Sequence, residues 1–344
     1  MNAPAFNISR ATPESRVALV LAILGLLALA AGPYWLERNS MRLVGEFMIY
    51  LGLASLWNLL AGYAGLVSVG QQAYVGFGGY VLFGGAIFLG IPPLLTVPLA
   101  GIAATLVSIP VSYLVFRLKG AYFAIGTWVV AEVFMLLASQ WSALGGGSGI
   151  SLPIAIVRDI GSSRAMRENM IYWTTLGTSV AILVAIYLLL RSRWGLALQA
   201  IRDSEVAAES SGVDVDSAKR LLYVVACAGA AMIGALIFMA KLRISPSAAF
   251  SVNDWTAFVI FITVIGGIGR IEGPIVGTLL FFLLRETLAD LGAIYLIVLG
   301  AAAVAVMLFA PKGLWGLVHD KFGWQLFPSG RRLVMGAQQS KEGQ

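Results

Sequence analysis

Ten mostly apolar stretches, most of them about 20 residues long, follow one another along this chain of 344 residues. About 20 such residues are needed for an α-helix to cross a bilayer core of about 30 Å. The stretches lie near residues 17–36, 43–61, 66–89, 94–116, 121–140, 170–190, 221–240, 255–268, 274–288 and 292–309. We therefore predict an all-α polytopic membrane protein with about ten transmembrane helices.

Two features leave this count open. The runs at 255–268 and 274–288 are short, and four of the residues at 266–273 are glycine, so these runs could be broken or re-entrant and leave nine spans. In the first run, Arg10 and Arg16 precede an apolar core, and Ala28 to Ala30 resembles a signal-peptide cleavage site. The apolar stretch continues to Trp35, as in a retained helix that ends at an interfacial aromatic residue, and we favour that interpretation.

The composition excludes several classes of protein. Only 12% of the residues are charged, against roughly 25% in soluble domains. One cysteine, Cys227, and one histidine, His319, cannot build a disulfide framework or a zinc cluster. The chain has no Walker motif and no recognisable catalytic constellation, so we predict no enzyme activity and no metal site.

The basic residues indicate the orientation. The net charge is +6, but lysine and arginine lie in short tracts between apolar runs, as in cytoplasmic loops, rather than in a nucleic-acid surface. With ten spans, 15 of the 23 lysine and arginine residues fall on the side that holds both termini. We therefore predict cytoplasmic termini, with tails at 1–16 and 311–344 around a transmembrane domain at 17–310.

Two long polar segments interrupt the spans. The outer segment, residues 141–169, contains five small residues from Gly145 to Gly149 but no following Lys-Ser/Thr, so we expect a flexible loop or a contact with an external partner. In the inner segment, residues 191–220, Asp203 or Ser204 can cap a two-turn helix that begins at Glu205. Gly212 provides its stop, and Asp214 can cap the next helix.

The short inner helix has two interpretations. It can lie on lipid headgroups, or it can insert into a groove of a partner protein. Its apolar residues are Val206, Ala207 and Ala208, which lack the bulky face of a membrane-surface helix. Small residues therefore favour the groove.

Small and polar residues cluster around the third run. Gly65, Ser68, Gln72, Gly76 and Gly79 recur at spacings of three and four residues, which predicts one small helical face. Such a face permits close helix packing.

A polar translocation pathway is the competing interpretation of this region. Asn58, Ser68, Gln71 and Gln72 carry amide and hydroxyl groups that are costly to leave unpaired in lipid. Glu132 lies about twelve residues into its span, where a carboxylate must be paired, protonated or near water. We treat all five as candidate pathway residues, although Glu132 could equally make a structural hydrogen bond.

Several of these segments resemble the permeases of bacterial branched-chain amino acid ABC transporters. The resemblance covers roughly residues 45–315. The segments that carry it are 58–74, 117–125 followed by Glu132, the glycine tract Gly145 to Gly149, 195–212 and 265–274. The extra N-terminal span, the long outer loop and the segment Pro311 to Trp315 resemble the longer, M-type permease rather than its H-type partner.

The resemblance implies an ABC importer permease fold in the bacterial inner membrane. It also implies a second, H-type permease, two cytoplasmic ATPase subunits and a periplasmic substrate-binding protein, with ATP and magnesium bound by the ATPases and no cofactor bound by this chain. In such permeases a Glu-Ala-Ala loop followed by glycine docks on the ATPase. Glu205, Ala207, Ala208 and Gly212 match that pattern, with Val206 inserted after the acid.

Other functions remain open on sequence alone. Related importers carry urea, short amides or other amino acids on a similar glycine framework. A stand-alone secondary transporter or channel would use Glu132 as an ion site and would not need the inner helix. An intramembrane enzyme is the weakest alternative.

Overall fold

The computed structural model describes residues 6–9, 13–288, 294–310, 312–323, 326–328 and 332–335. Most of these residues lie in helices. The helices are α1 (Pro13–Ala30), α2 (Arg38–Asn58), α3 (Gln71–Phe88), α4 (Pro93–Val115), α5 (Ala121–Gln140), α6 (Ile154–Ile160), α7 (Arg164–Arg191), α8 (Arg193–Asp203), α9 (Glu205–Ser210), α10 (Val215–Lys241), α11 (Pro246–Ala249), α12 (Phe258–Gly266), α13 (Glu272–Thr287), α14 (Ile294–Phe309) and α15 (Gly313–Phe322).

Short irregular elements join these helices. π-helical turns at Leu59–Tyr63 and Asn253–Ala257 continue α2 and precede α12. Strand β1 (Phe6–Ser9) pairs antiparallel with β4 (Arg332–Met335), and β2 (Ile150–Ser151) pairs antiparallel with β3 (Arg243–Ile244).

Seven segments of the described chain are long and apolar enough to cross a membrane. They begin at residues 38, 93, 121, 164, 215, 246 and 297. The predicted all-α, multi-spanning architecture is therefore confirmed. The other three predicted runs contain α1, α3 and α13, which are helices of 18, 18 and 16 residues.

Helix α10 lies at the centre of the bundle and packs closely against α3 and α4. Glycine makes the contact with α3 possible, because a Cβ atom on Gly234 would lie 2.0 Å from the carbonyl oxygen of Val75. In the same way, a Cβ on Gly78 would lie 1.9 Å from the carbonyl oxygen of Ala231. The predicted small face also packs closely, because a Cβ on Gly79 would lie 2.5 Å from the ring of Phe238 on α10.

The predicted start of that run is wrong. Helix α3 begins at Gln71, and the six residues before it, 65–70, are not helical. Gly65 has a left-handed φ of +68°, which breaks the helical path, so Gly65 and Ser68 precede the helix instead of lying on its face. Hydrogen bonds from outside the segment satisfy its backbone, since Trp57 Nε1 donates to the carbonyl of Ser68.

Helices α12 and α13 form a hairpin around the glycine-rich turn. Gly267 has a φ of +128° and ends α12. A Cβ on Gly266 would lie 1.9 Å from the carbonyl oxygen of Gly273, and one on Gly277 would lie 1.9 Å from that of Ile262. The glycines therefore let two separate helices pack backbone to backbone.

The outer segment is more ordered than a flexible loop. It contains two 3₁₀ turns, strand β2 and helix α6. The glycine tract fits its backbone, because Gly149 has a φ of +77° and a Cβ there would lie 2.1 Å from the carbonyl oxygen of Ile244.

The predicted tails lie partly outside the described residues. Within the C-terminal tail, α15 packs beside the α12–α13 turn, where a Cβ on Gly313 would lie 2.4 Å from the Cα of Gly267. The buried carboxylate of Glu272 accepts hydrogen bonds from the backbone N–H groups of Leu326 and Phe327, at 3.0 and 2.8 Å. The described part of this tail is therefore docked on the bundle.

The α3–α10 contact predicts a sharp response to one methyl group. Gly234→Ala would force the two helices apart, and overpacking of this kind costs about 1–3 kcal/mol. We expect a lower midpoint of thermal unfolding in detergent. Gly177→Ala on α7 is the matched control, because nothing lies within 4 Å of a Cβ there. Equal midpoints for the two variants would contradict this packing.

Candidate functional site

We name the two ends of the bundle inner and outer, following the predicted orientation. The inner end carries α8 and α9, the segment in which the sequence predicts the coupling helix. Helix α9 runs over Glu205–Ser210, and its N-cap is Ser204, whose Oγ accepts a hydrogen bond from the N–H of Ala207 at 3.3 Å. Gly212 ends the turn with a φ of +82°. The predicted short helix and its stop are confirmed.

The next cap is also as predicted. The Asp214 carboxylate accepts hydrogen bonds from the side chain and the backbone N–H of Ser217, at 2.6 and 3.0 Å. These bonds lower the pKa of the Asp214 carboxyl. They cap the N-terminus of α10, which directly follows the coupling segment.

The four predicted coupling residues do not share one environment. Glu205, Ala207 and Gly212 are exposed, whereas Ala208 is only 2% exposed and packs into the bundle. Glu205 forms an ion pair with Lys219 on the first turns of α10. Ala208 therefore anchors α9, and the exposed face is left for a partner.

Val206 is the most prominent residue of that face. Its side chain is 74% exposed although it is apolar. It is the residue by which this chain departs from the Glu-Ala-Ala pattern. The departure places an apolar side chain on the inner surface next to Glu205.

Helix α8, which precedes α9 in the inner segment, was not predicted from the sequence. Ser192 caps it by accepting a hydrogen bond from the N–H of Trp194, and Leu198 and Ile201 are buried. These apolar residues at a spacing of three, together with the cap, were the available signal. The last turn of α8 brings Arg202 to the α12–α13 turn, where its Nη1 lies 3.5 Å from the Cβ position of Gly269.

Asn58 holds the same turn from the other side. Its Oδ1 accepts a hydrogen bond from the N–H of Gly269, and its Nδ2 donates to the carbonyl of Arg270, both at 2.8 Å. A Cβ on Gly62 would lie 2.4 Å from the backbone nitrogen of Gly269, so the contact is close. The coupling segment therefore meets a turn that is clamped to α2 by Asn58.

Gln71 and Gln72 lie at the start of α3, in the interior. Gln71 Nε2 donates to the carbonyl of Leu53 at 3.0 Å. Gln72 Oε1 accepts a hydrogen bond from Thr256 Oγ1. Gln71 Oε1 and Gln72 Nε2 are buried and have no hydrogen-bond partner within the described residues.

Ser68 and Glu132 form their hydrogen bonds with other groups. The Ser68 hydroxyl accepts a hydrogen bond from the N–H of Gly70 at 3.3 Å, within the non-helical segment before α3. Glu132 Oε1 accepts a hydrogen bond from Trp128 Nε1 at 3.0 Å on the same helix, α5, and its side chain is half-buried. None of the five candidate pathway residues is hydrogen-bonded to another in the described chain, and their role in a pathway stays a prediction.

Comparison with known proteins identifies the family. The model of the branched-chain amino acid transport system permease component matches residues 39–310. The chain belongs to this family. It is a permease component of a branched-chain amino acid ABC transport system, which confirms the prediction of a transport subunit rather than an enzyme.

Individual relatives agree with this assignment. The chain is 28% identical over 323 residues to the high-affinity branched-chain amino acid transport system permease protein LivM of Salmonella typhimurium. The alignment covers 87% of this chain and 76% of that protein. The values for LivM of Escherichia coli are the same. No solved structure matches the chain.

Asn58→Ala tests the clamp on the α12–α13 turn. The substitution removes this partner from the Gly269 N–H and the Arg270 carbonyl. A fully buried group left unpaired costs about 1–3 kcal/mol, and these part-buried groups should cost less. We expect a lower midpoint of thermal unfolding. Asn253→Ala is the control, because Asn253 is exposed. If both variants unfold at the wild-type temperature, Asn58 does not hold the turn.

Proposed function

We propose that this chain is one membrane-spanning subunit of an ATP-driven importer and forms part of the translocation pathway for branched-chain amino acids. The family match over residues 39–310 carries the proposal. Its partners are an H-type permease, two cytoplasmic ATPase subunits and a periplasmic substrate-binding protein. ATP and magnesium bind to the ATPases, and this chain binds no cofactor.

The proposed topology has ten spans with both termini in the cytoplasm of a bacterial cell whose inner membrane holds the complex. The packing supports it, because residues predicted on one side of the membrane meet at one end of the bundle. At the inner end, Asn58 meets Gly269 and Arg270. At the outer end, β2 pairs with β3.

Coupling to the ATPase is assigned to the exposed face of α9. Val206 and Ala207 are apolar or small and exposed, as expected for residues that enter a groove on a partner. Movement of α9 would reach the bundle through α8 and Arg202, which contacts the α12–α13 turn. The chain has no energy source of its own, so ATP must bias the equilibrium by differential affinity of the ATPases for its two conformations.

The pathway is assigned to the polar interior near the start of α3. Gln71 and Gln72 each keep one buried amide atom without a partner in the described chain, and such atoms are costly in an apolar interior. Contact with a polar solute would offset that cost. Glu132 lies on the weakly buried α5, and a carboxylate at this depth supports contact with the sister permease rather than with lipid.

Transport by the assembled complex tests the proposed function. In proteoliposomes that hold this chain, its sister permease and the ATPases, leucine uptake should require both ATP and the loaded binding protein. Uptake by this chain alone would favour a stand-alone transporter with Glu132 as its ion site. ATP hydrolysis stimulated by a loaded urea- or amide-binding protein, without leucine uptake, would keep the ABC class and overturn the substrate.

Val206→Asp and Glu205→Lys test the coupling surface. Burial of a valine side chain in the groove of the ATPase is worth about 1.5–3 kcal/mol. A charge introduced on this surface should therefore lower binding-protein-stimulated ATP hydrolysis about tenfold or more. Membrane insertion should stay normal. Val206→Ala keeps a small apolar side chain and should lose less activity.

Lys119→Glu is the charge-reversal control, because Lys119 is exposed on the loop between α4 and α5. The measurement is ATP hydrolysis per purified complex, with subunit stoichiometry checked. Wild-type stimulation in both α9 variants at normal stoichiometry would show that the ATPase does not dock there.

A further inference from the structure

The coupling and pathway assignments do not use a cavity that lies at the outer end. Its volume is about 820 Å³, within the range of about 300–1,000 Å³ typical of small-molecule sites. It lies between α2, α7, α10, α13 and the π-turn Asn253–Ala257. Along α2 its lining runs from Arg38 to Tyr50, which at 1.5 Å per residue is a length of about 18 Å of helix.

Two charged clusters line the mouth of this cavity. Glu168 lies 2.8 Å from Arg164 and 3.5 Å from Arg38. Glu46 lies 2.7 Å from Arg285 and 3.3 Å from Arg42. Each cluster holds two guanidinium groups for one carboxylate, so each keeps a net positive charge that favours an anionic group.

Lys241 and Asp254 complete the charged lining and differ from these clusters. Neither forms an ion pair within the described chain. The ammonium of Lys241 lies 4.9 Å from the centre of the Trp255 ring. Trp255 follows Asp254 directly in the sequence. The cavity is thus lined by a cation that contacts the indole ring and by an anion that is adjacent to Trp255 in sequence, and neither is neutralised by an ion pair within the described chain.

The base of the cavity is apolar and aromatic. Tyr50 and Trp255 are buried, with ring centres 6.3 Å apart and planes inclined by 28°. Ile49 and Ile237 add aliphatic walls. A ligand with a charged head and a branched aliphatic side chain fits this order of charge and apolar surface.

The base also leads to the polar interior assigned to the pathway. Leu53, one turn beyond Tyr50 on α2, accepts the hydrogen bond of Gln71. Thr256, next to Trp255, donates the hydrogen bond to Gln72. Turns of π-helix often occur at functional sites, and this one carries Asp254, Trp255 and Thr256.

We propose that the outer cavity is an entry site for an amino acid zwitterion. The α-carboxylate binds at Lys241, the α-ammonium binds at Asp254, and the aliphatic side chain lies against Tyr50 and Trp255. The inference rests on the proposed function, since it names where the transported amino acid first contacts this chain after its release from the binding protein.

Photo-crosslinking of the assembled importer in nanodiscs tests the site. The probe is photo-leucine, a diazirine analogue of leucine, added free or on the binding protein, with and without a non-hydrolysable ATP analogue. Mass spectrometry maps the label. We expect labelled peptides from 38–50 or 237–255 and competition by leucine. Leucinamide lacks the carboxylate and isocaproate lacks the ammonium, so both should compete about tenfold less well.

Lys241→Gln and Asp254→Asn should each lower cavity labelling about tenfold, because each removes one charge-assisted contact. Arg158→Gln and Asp159→Asn are the matched controls, since both residues are exposed on α6 outside the cavity and should leave labelling unchanged. Subunit stoichiometry and basal ATP hydrolysis are measured for all four variants.

Three results would overturn the entry site: no label in the cavity, label that leucine does not displace, or labelling of the Lys241 and Asp254 variants at the wild-type level. Label displaced by phosphatidylglycerol but not by leucine would make the cavity a lipid site. Wild-type leucine uptake is measured in the same preparation. Normal ATP-dependent uptake without cavity labelling refutes the site alone, whereas absent leucine uptake refutes the proposed substrate.

Discussion

The two hydrogen bonds of Asn58 join parts of the bundle that are more than 200 residues apart in sequence. They pair the N–H of Gly269 and the carbonyl of Arg270, which have no helical partner in the turn between α12 and α13. In a membrane protein a buried backbone group without a helical partner must find one inside the protein, and in this part-buried turn the side chain of Asn58 supplies two. The same rule explains the non-helical segment before α3, where Trp57 and Thr127 bond to the backbone of Ser68 and Val69.

The sequence predicts well those features that depend on local chemistry. The ten apolar runs contain helices, and the Ser204 and Asp214 caps and the Gly212 stop are where hydrogen-bonding and conformational preferences place them. The helix that was expected to start at residue 66 begins at Gln71 instead. Hydropathy could not show this break, because apolar composition is the same whether the backbone bonds within a helix or to distant side chains.

The candidate sites were predictable only in part, and for a related reason. A search for small residues finds α9, but it cannot separate the buried Ala208 from the exposed Val206, since their difference arises from packing against α8 and α10. Likewise Asn58 is polar and intramembrane, which suggests a pathway. Its partners at Gly269 and Arg270 depend on how a distant hairpin packs. Polar residues in apolar runs therefore mark places where the bundle needs hydrogen bonds, whether for solute or for its own backbone.

The outer cavity shows the same limit for charged residues. Arginine and glutamate at helix ends are ordinary in a membrane protein, because long side chains reach the interface there. Exposed ion pairs of this kind contribute about 0–1 kcal/mol, so stability alone gives little reason to gather them around one cavity. Their arrangement has another consequence: each glutamate is shared by two arginines, and Lys241 and Asp254 stay out of both clusters. The mouth therefore keeps a net positive charge together with separate positive and negative groups beside Trp255, a pattern suited to a zwitterion that carries its own apolar side chain inward.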